Sequence, residues 1–476
     1  MPFRLLVVAS LLFTACSADH GPRLTPSPSH ASLFGQVDVT FSGDVAALGD
    51  IQSVTVGHIA AYNVRATASD VTVTLQGAPS PGAVDVEVVG SRGSSLHRGA
   101  FTYDPPAPGV PLVWAAFGAS YTHGCVSLGI DAHTQVHGIS GDIGRAAGVY
   151  LGLPLFVDGL MPALQTSDFN ADCSPKSGAG SIDAGKLLGQ IGDKLTDPAT
   201  GLYDLRRGRI DTTLVPRNVA VGGSKVADVL DGGSSYVALL ENLVEDPNVQ
   251  GSDALRSPDR SQIDRLEALD PDVAFTTDLM GNDMDMAVIQ SDDLHPEMAT
   301  PLATMQAGLT QMMARLGRLH GQYFIANMPS LTAVPNVAVL RAKLVAAGAS
   351  TDAFDAKVKE LDELAAGYND ALVQAVAPYP NLHIVDFKGQ VESQLGGIRV
   401  AGEWLTGDRF GGLFSLDGLH LTDTAYALYA NLFIDAINGV LQTQIAHVDV
   451  DAIHAGDADS PSVLRAAGLT CVPPPR

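Results

Sequence analysis

Cysteine is scarce in this chain: 4 residues among 476, at positions 16, 125, 173 and 471. A protein of this length with so few cannot depend on a disulfide framework for its fold. Positive charge is scarce too. Lys and Arg number 28 against 52 Asp and Glu, a formal net charge of −24. Phosphate backbones are held by clustered Lys and Arg, so nucleic acid is not an expected partner. The same deficit argues against protein charge as a means of binding anionic membrane surfaces, although acidity by itself names no substrate. Apolar runs of membrane-spanning length, ~20 residues, are absent as well. Several signatures of bound groups are also missing. No Walker or dinucleotide fingerprint follows Gly222-Gly223. The acidic stretch 252–272, interspersed with Arg256, Arg260 and Arg265, lacks the ligand spacing of an EF-hand. His123, His133 and His137 lie near Cys125 in a Gly-, Ser- and Thr-rich segment, but no Glu completes a zinc motif. They read as loop histidines, and neither a metal nor a cofactor is expected.

What the chain does have is 46% apolar residues, enough for a sizeable core in each of two domains. An export signal precedes them. Arg4 leads into the apolar run 5–13, which is too short to span a bilayer and ends at Phe13-Thr14-Ala15-Cys16. The small residues before Cys16 resemble a bacterial lipoprotein cleavage site, with Phe13 where Leu is usual. Cleavage there removes residues 1–15 and leaves a lipidated Cys16 on a Pro- and Ser-rich tether, 16–32. The expectation is an exported, lipid-anchored protein that meets the membrane only through that lipid. Plain secretion, with Cys16 discarded or free, is the alternative. Cys125 and Cys173 can pair in an oxidising compartment, since both lie in the loop-rich interval 121–217; Cys471 can also take either partner.

Between residues 33 and 104 hydrophobicity has period two. Val37, Val39 and Phe41 alternate with polar residues, as do Val71, Val73 and Leu75, then Val84, Val86 and Val88, then Phe101 and Tyr103. Short alternating strands separated by Gly, Pro and Ser clusters predict a small antiparallel sandwich of Ig-like class. The segment resembles an IPT/TIG-type domain, with Phe101-Thr102-Tyr103 carrying much of the likeness. The Pro-rich stretch 105–110 is a stiff linker. Over 111–446 the period changes. Strand candidates at 112–117, 219–221, 273–276, 323–326 and 382–387 alternate with helical patterns, clearest over 352–376 and also present over 301–320. Such alternation predicts an α/β domain with a parallel sheet covered on both faces. The interval 121–217 reads as an insertion bordering the site. The tail 447–476 is acidic, then Pro-rich, with little assignable structure.

Four short segments stand where a buried strand ends or a helix begins, the positions where open α/β sheets place their chemistry. They are Gly118-Ala119-Ser120, Gly222-Gly223-Ser224, Gly281-Asn282-Asp283 and Asp417-Gly418-Leu419-His420. Each alone is commonplace: a turn, a cap, an Asx-turn, a structural histidine. Together they carry chemistry. A serine hydroxyl is a weak nucleophile near neutral pH and needs a base, an orienter for that base, and donors for the oxyanion that forms. Ser120, His420 and Asp417 fit the first three roles. The N–H groups of Ser120 and Gly223 and the side-chain amide of Asn282 fit the last, with Gly222 competing for the place of Gly223.

The order and wording of these segments resemble the SGNH (GDSL-type) esterases and lipases, over roughly residues 110 to 442. The stretch Phe414-Ser415-Leu416-Asp417-Gly418-Leu419-His420-Leu421-Thr422 is the most specific part, and Ala326-Asn327-Met328-Pro329 resembles a strand-end loop of these enzymes. The resemblance implies a flavodoxin-like three-layer fold with a five-stranded parallel sheet in the order 2-1-3-4-5. It also implies hydrolysis of small-molecule or lipid esters without a metal. Within that class the runner-up is a carbohydrate or peptidoglycan O-acetyl esterase; outside it, a non-catalytic surface adhesion protein. One departure stands out: the family usually has Asp where this chain has Ala119, so support for the nucleophile loop must come from elsewhere.

Overall fold

The period-two segments near the N-terminus become the strands of two sheets. The computed structural model describes residues 19–156, 163–176, 196–197, 199–200, 209–211, 214–233, 261–284 and 293–473. The export signal and Cys16 lie outside the described residues, as do residues 252–260 of the acidic stretch. The chain divides into two compact units. One takes the residues up to His30 with Val37–Leu75 and Gly82–Tyr103; the other takes Ala31–Gln36, Gln76–Pro81 and Asp104–Arg476.

The strands of the first sheet are β1 (Leu24–Ser27), β3 (Gly35–Gly43), β6 (Tyr62–Ala66) and β7 (Asp70–Gln76), in the order β1-β3-β7-β6. The second sheet has β2 (His30–Ser32), β4 (Ile51–Val56), β5 (Ile59–Ala60), β8 (Gly82–Gly90) and β9 (Gly93–Asp104), in the order β2-β9-β8-β4-β5. Pairs β1–β3, β4–β8 and β8–β9 run antiparallel. Val39, Phe41, Val71, Val73, Leu75, Val86, Val88, Phe101 and Tyr103 are buried, as their alternation requires. Sheet structure begins at Leu24, inside the stretch expected to be tether, because Leu24–Ser27 lies antiparallel against Thr40–Gly43 and buries Leu24.

The larger unit is mixed α/β. Strands β10 (Trp114–Ala116), β11 (Val273–Thr276), β12 (Gln322–Ala326) and β13 (Leu382–Val385) form one parallel sheet in that order. Alternate side chains face opposite layers. Ala115, Phe117, Ala274, Tyr323 and Ile325 join the core beneath helices Leu302–Leu316 and Asp352–Val376. On the other face helix Asp423–Leu441 brings Phe433 to 6.1 Å from the Phe275 ring. The helix over Asp352–Val376 has the bounds its apolar spacing predicts, with Phe354, Leu361, Tyr368 and Leu372 buried. Among the described residues no helix is long and apolar enough to cross a membrane.

Four expectations need correction. The sheet has four strands, not five. Residues 219–221 run beside β10 and the Val219 N–H donates to the Ala116 carbonyl, but only Asn218 makes a formal bridge. The Asn218 side chain takes the Ala220 N–H, and Gly222-Gly223 turns the chain away. His133 and His137 are not in a loop: they lie on helix Ala132–His137, which Asp131 caps by accepting from the Thr134 N–H. The tail is structured as well, with helices at Val450–His454 and Pro461–Ala466. Finally, Cys173 bonds to Cys471, not to Cys125. Phe169, Phe410, Leu416, Leu464, Leu469 and Val472 pack around Cys173, and the Thr470 N–H donates to the Ala171 carbonyl at 2.7 Å. That packing delivers Cys471, whereas Cys125 is buried elsewhere with a free thiol.

The bridge closes a loop of 298 residues in sequence separation. Cys471→Ser is expected to lower unfolding free energy by about 2–4 kcal/mol, measured by denaturant titration under non-reducing conditions. An unchanged midpoint would show the bridge adds nothing.

Candidate active site

The loop that carries Ser120 is built by a strand that must turn sharply. After β10 the chain passes through Gly118, whose φ of +121° leaves no room for a side chain: a Cβ there would sit 2.4 Å from Thr276 Oγ1. Gln262 holds this peptide from both sides, accepting from the Gly118 N–H at 2.8 Å and donating to its carbonyl at 3.1 Å. A single helical turn, Ser120–His123, follows. Its exposed donors converge on one carboxylate, Asp278. The Asp278 oxygens accept from the N–H groups of Ala119 (3.1 Å), Tyr121 (2.6 Å) and Thr122 (3.4 Å), and from Thr122 Oγ1 at 2.8 Å. Enclosure raises the carboxyl above its ordinary range, with these donors opposing the shift. This is the support that Ala119 cannot give. Sequence reasoning missed it: the acid stands two residues beyond a buried strand and three before Gly281, but nothing local ties it to residues 119–122. The Ser120 N–H itself has no acceptor among the described residues and stays available.

Ser120, Gly281 and Asn282 line one cleft. Asn282 Nδ2 donates to the Ser224 carbonyl at 3.0 Å, which ties it to the glycine turn. Asp283 anchors the same loop, accepting from the Val226 N–H and from Thr300 Oγ1. The two glycines differ. The Gly222 N–H donates to His123 Nδ1 at 3.2 Å, and burial pushes the pKa of His123 down to about 4, so this ring stays a neutral acceptor. Gly223 adopts φ +88° and its N–H has no acceptor among the described residues. Of the two, only Gly223 keeps a donor free. Gly222 lies against Ser120, where a Cβ would come within 3.7 Å of Ser120 Cβ.

The turn carrying Asp417 and His420 closes through the Ser415 N–H to the His420 carbonyl at 2.8 Å. Gly418, at φ +68°, passes Asn336 too closely for any side chain. Thr422 then caps helix Asp423–Leu441. His420 Nδ1 and Asp417 Oδ2 are 2.7 Å apart, both buried. The carboxylate also accepts from the N–H groups of Leu419 and His420 through Oδ1 and of Leu128 through Oδ2, all at 2.7–2.8 Å. Burial alone would raise the Asp417 carboxyl, but the His420 charge and these hydrogen bonds hold its pKa at about 2. For His420, burial works downward and the neighbouring Cys125 and Asp417 work upward, leaving it well above 6.5. Cys125 hydrogen-bonds the same ring, and burial pushes its own thiol up. Among the described residues no hydrogen bond joins Ser120 to His420; such bonds often tighten only when substrate binds.

A second layer supports the acid. Ser415 Oγ donates to Asp417 Oδ1 at 3.2 Å and accepts from the Ser127 N–H. Ser127 Oγ accepts from the Leu416 N–H and donates to Asp459 Oδ2 at 2.6 Å. Asp459 belongs to the C-terminal segment. Burial lifts its pKa to about 7.

His133 meets Asp423 at 3.2 Å, but among the described residues no group of three or more His, Cys, Asp or Glu is arranged to hold a metal ion.

Since its Cys125 and Asp417 neighbours outweigh burial, His420 should titrate above 6.5 by NMR. Asp417→Asn should move that titration down by a unit or more, in the order of ~1. A His420 titration unmoved by the substitution would sever the pair. Neither the family models nor the curated proteins compared with this chain match it.

Proposed function

We propose that this chain is a serine hydrolase of SGNH type that cleaves carboxylic esters, exported and held to the cell envelope by a lipid on Cys16. One observation carries the reading. A buried Asp417–His420 pair lies in the same domain as a cleft where Ser120, with its own unengaged N–H, faces Asn282 and the glycine turn. The fold reading supports it. Counting the edge segment Asn218–Val221 as a strand, on the strength of its bridge to Ala116, makes the order 2-1-3-4-5.

The chemistry then runs in two halves. Ser120 Oγ attacks the ester carbonyl carbon while its proton passes to His420 Nε2, and Asp417 holds Nδ1–H and the positive charge that develops. The carbonyl oxygen, now an anion, is received by the N–H groups of Ser120 and Gly223 and by Asn282 Nδ2. Collapse breaks the carbon–alkoxy bond, and His420 returns the proton to the departing alcohol. Water repeats the sequence on the acyl-enzyme, freeing the acid and regenerating Ser120. No step calls for a metal or a cofactor.

A fluorophosphonate should label Ser120. Ser120→Ala and His420→Ala should each lower kcat by at least ~10³, with the double variant scarcely worse. Asn282→Ala should cost ~10²–10³, mainly in kcat. Labelling at another serine would remove the assignment. Because only neutral His420 can take the proton, kcat/KM should fall as pH drops through the raised His420 pKa, above 6.5. Asp278→Ala should lower kcat by ~10² through a displaced nucleophile while Ser120 remains intact. An Asp278→Ala enzyme with normal kcat would show that the loop holds itself.

A further inference from the structure

The cleft beside Ser120 has an uneven distribution of polar groups. Its polar lining side chains are nearly all committed to protein partners. Tyr121 Oη donates to the Leu419 carbonyl, and Thr277 Oγ1 pairs with Thr122 Oγ1. The Asp278 carboxylate is occupied by its four donors. Asn327 Nδ2 donates to Asp386 while its oxygen accepts from the Lys388 N–H, and Ser330 Oγ donates to Glu392. Among the described lining side chains, Ser120, the remaining amide hydrogen of Asn282 and its side-chain oxygen keep hydrogen-bonding capacity, all at the reacting end. Among the described residues no Lys, Arg or His lines the cleft. Beyond the reacting end it offers Met280, Met284, Met328, Leu331 and Val334.

We infer that this apolar cleft is an acyl-chain site, so that the substrate is an ester of an uncharged, apolar acid longer than acetate; this rests on the serine-hydrolase reading above. Three arguments lead there. A sugar or a charged group placed among these side chains would lose its water without gaining partners. A single methyl group can touch only part of a wall made by five apolar side chains from two loops, so an acetyl group would leave the rest of that wall against water. The third argument concerns direction. The carbonyl carbon must place its oxygen at Asn282, whose own loop carries Met280 and Met284, and the leaving oxygen must face His420. The chain attached to that carbon therefore begins against these methionines, whose unbranched side chains adapt to a flexible chain, and continues toward Leu331 and Val334.

The test is a series of p-nitrophenyl esters from acetate to octanoate, beside a series of alkyl acetates from ethyl to hexyl. If the cleft takes the acyl chain, kcat/KM rises about three- to fourfold per added methylene, roughly 100-fold from acetate to hexanoate. The alkyl acetates should show little gain. Val334→Trp, and separately Met328→Trp, should lower the hexanoate-to-acetate ratio at least tenfold; each ratio is taken on one preparation, so a poorly folded fraction cancels. Acetate turned over as well as hexanoate would overturn the inference while leaving the Ser120 mechanism standing. So would a gain confined to the alcohol series, or a ratio unmoved by both tryptophans. If no ester is hydrolysed and a fluorophosphonate leaves Ser120 unlabelled, the hydrolase reading fails and this inference falls with it.

Discussion

The buried carboxylate of Asp417 is the constraint around which the larger unit is arranged. An ionised carboxylate removed from water costs several kcal/mol unless its lone pairs are filled. Here they are filled by His420 Nδ1, three backbone N–H groups and the Ser415 hydroxyl. Satisfying that one charge fixes the tautomer of the imidazole, the tight turn from Ser415 to His420, and the approach of residues 127 and 128 from a distant part of the chain. Removing any donor would leave a buried charge short of partners, which costs more than the missing bond alone. The geometry of the pair and the stability of the surrounding loops are therefore one property.

A second carboxylate does the equivalent work on the other side of the cleft. Asp278 gathers the backbone donors around Ser120, as a first-turn acid satisfies the orphan N–H groups of a helix. Its position is displaced: the loop that follows β11 carries the acid, and the loop that follows β10 carries the hydroxyl. Parallel pairing of those two strands brings the loops side by side, so the loop carrying Ser120 is held although residue 119 is Ala. Each half of the site is thus held by one acid accepting from several N–H groups at once.

Much of this was legible in the sequence, and what was not has physical causes. Helix Asp352–Val376 and strand β11 match their patterns because a long amphipathic stripe and a short fully buried run are decided locally. The segment 219–221 was read as a strand because its apolar content is right; it does run beside β10, with the Val219 and Val221 N–H groups donating to the Ala116 and Gly118 carbonyls, but only Asn218 forms a bridge before Gly222-Gly223 turns away. Ser120, Asn282, Asp417 and His420 were legible since each stands at a strand end or helix entry. Asp278 and Asp459 were not, because their partners lie 156 to 332 residues away in sequence. The pairing of Cys173 with Cys471 was one of the options left open, and it depended on an apolar cluster that no local pattern announces.

The C-terminal segment has a consequence for the order in which the molecule can be completed. Asp459 supports Ser127, which supports the turn holding Asp417, and Cys471 staples the same region to Cys173. These groups are synthesised after every other part of the site, and domains tend to fold as they emerge, N-terminal portions first. The acid–base pair therefore cannot be fully braced on a growing chain. Bracing waits for the last stretch to arrive, and the staple waits for an oxidising compartment. A chain with this wiring completes the bracing of its Asp417–His420 pair only after its last stretch is made and its staple oxidised.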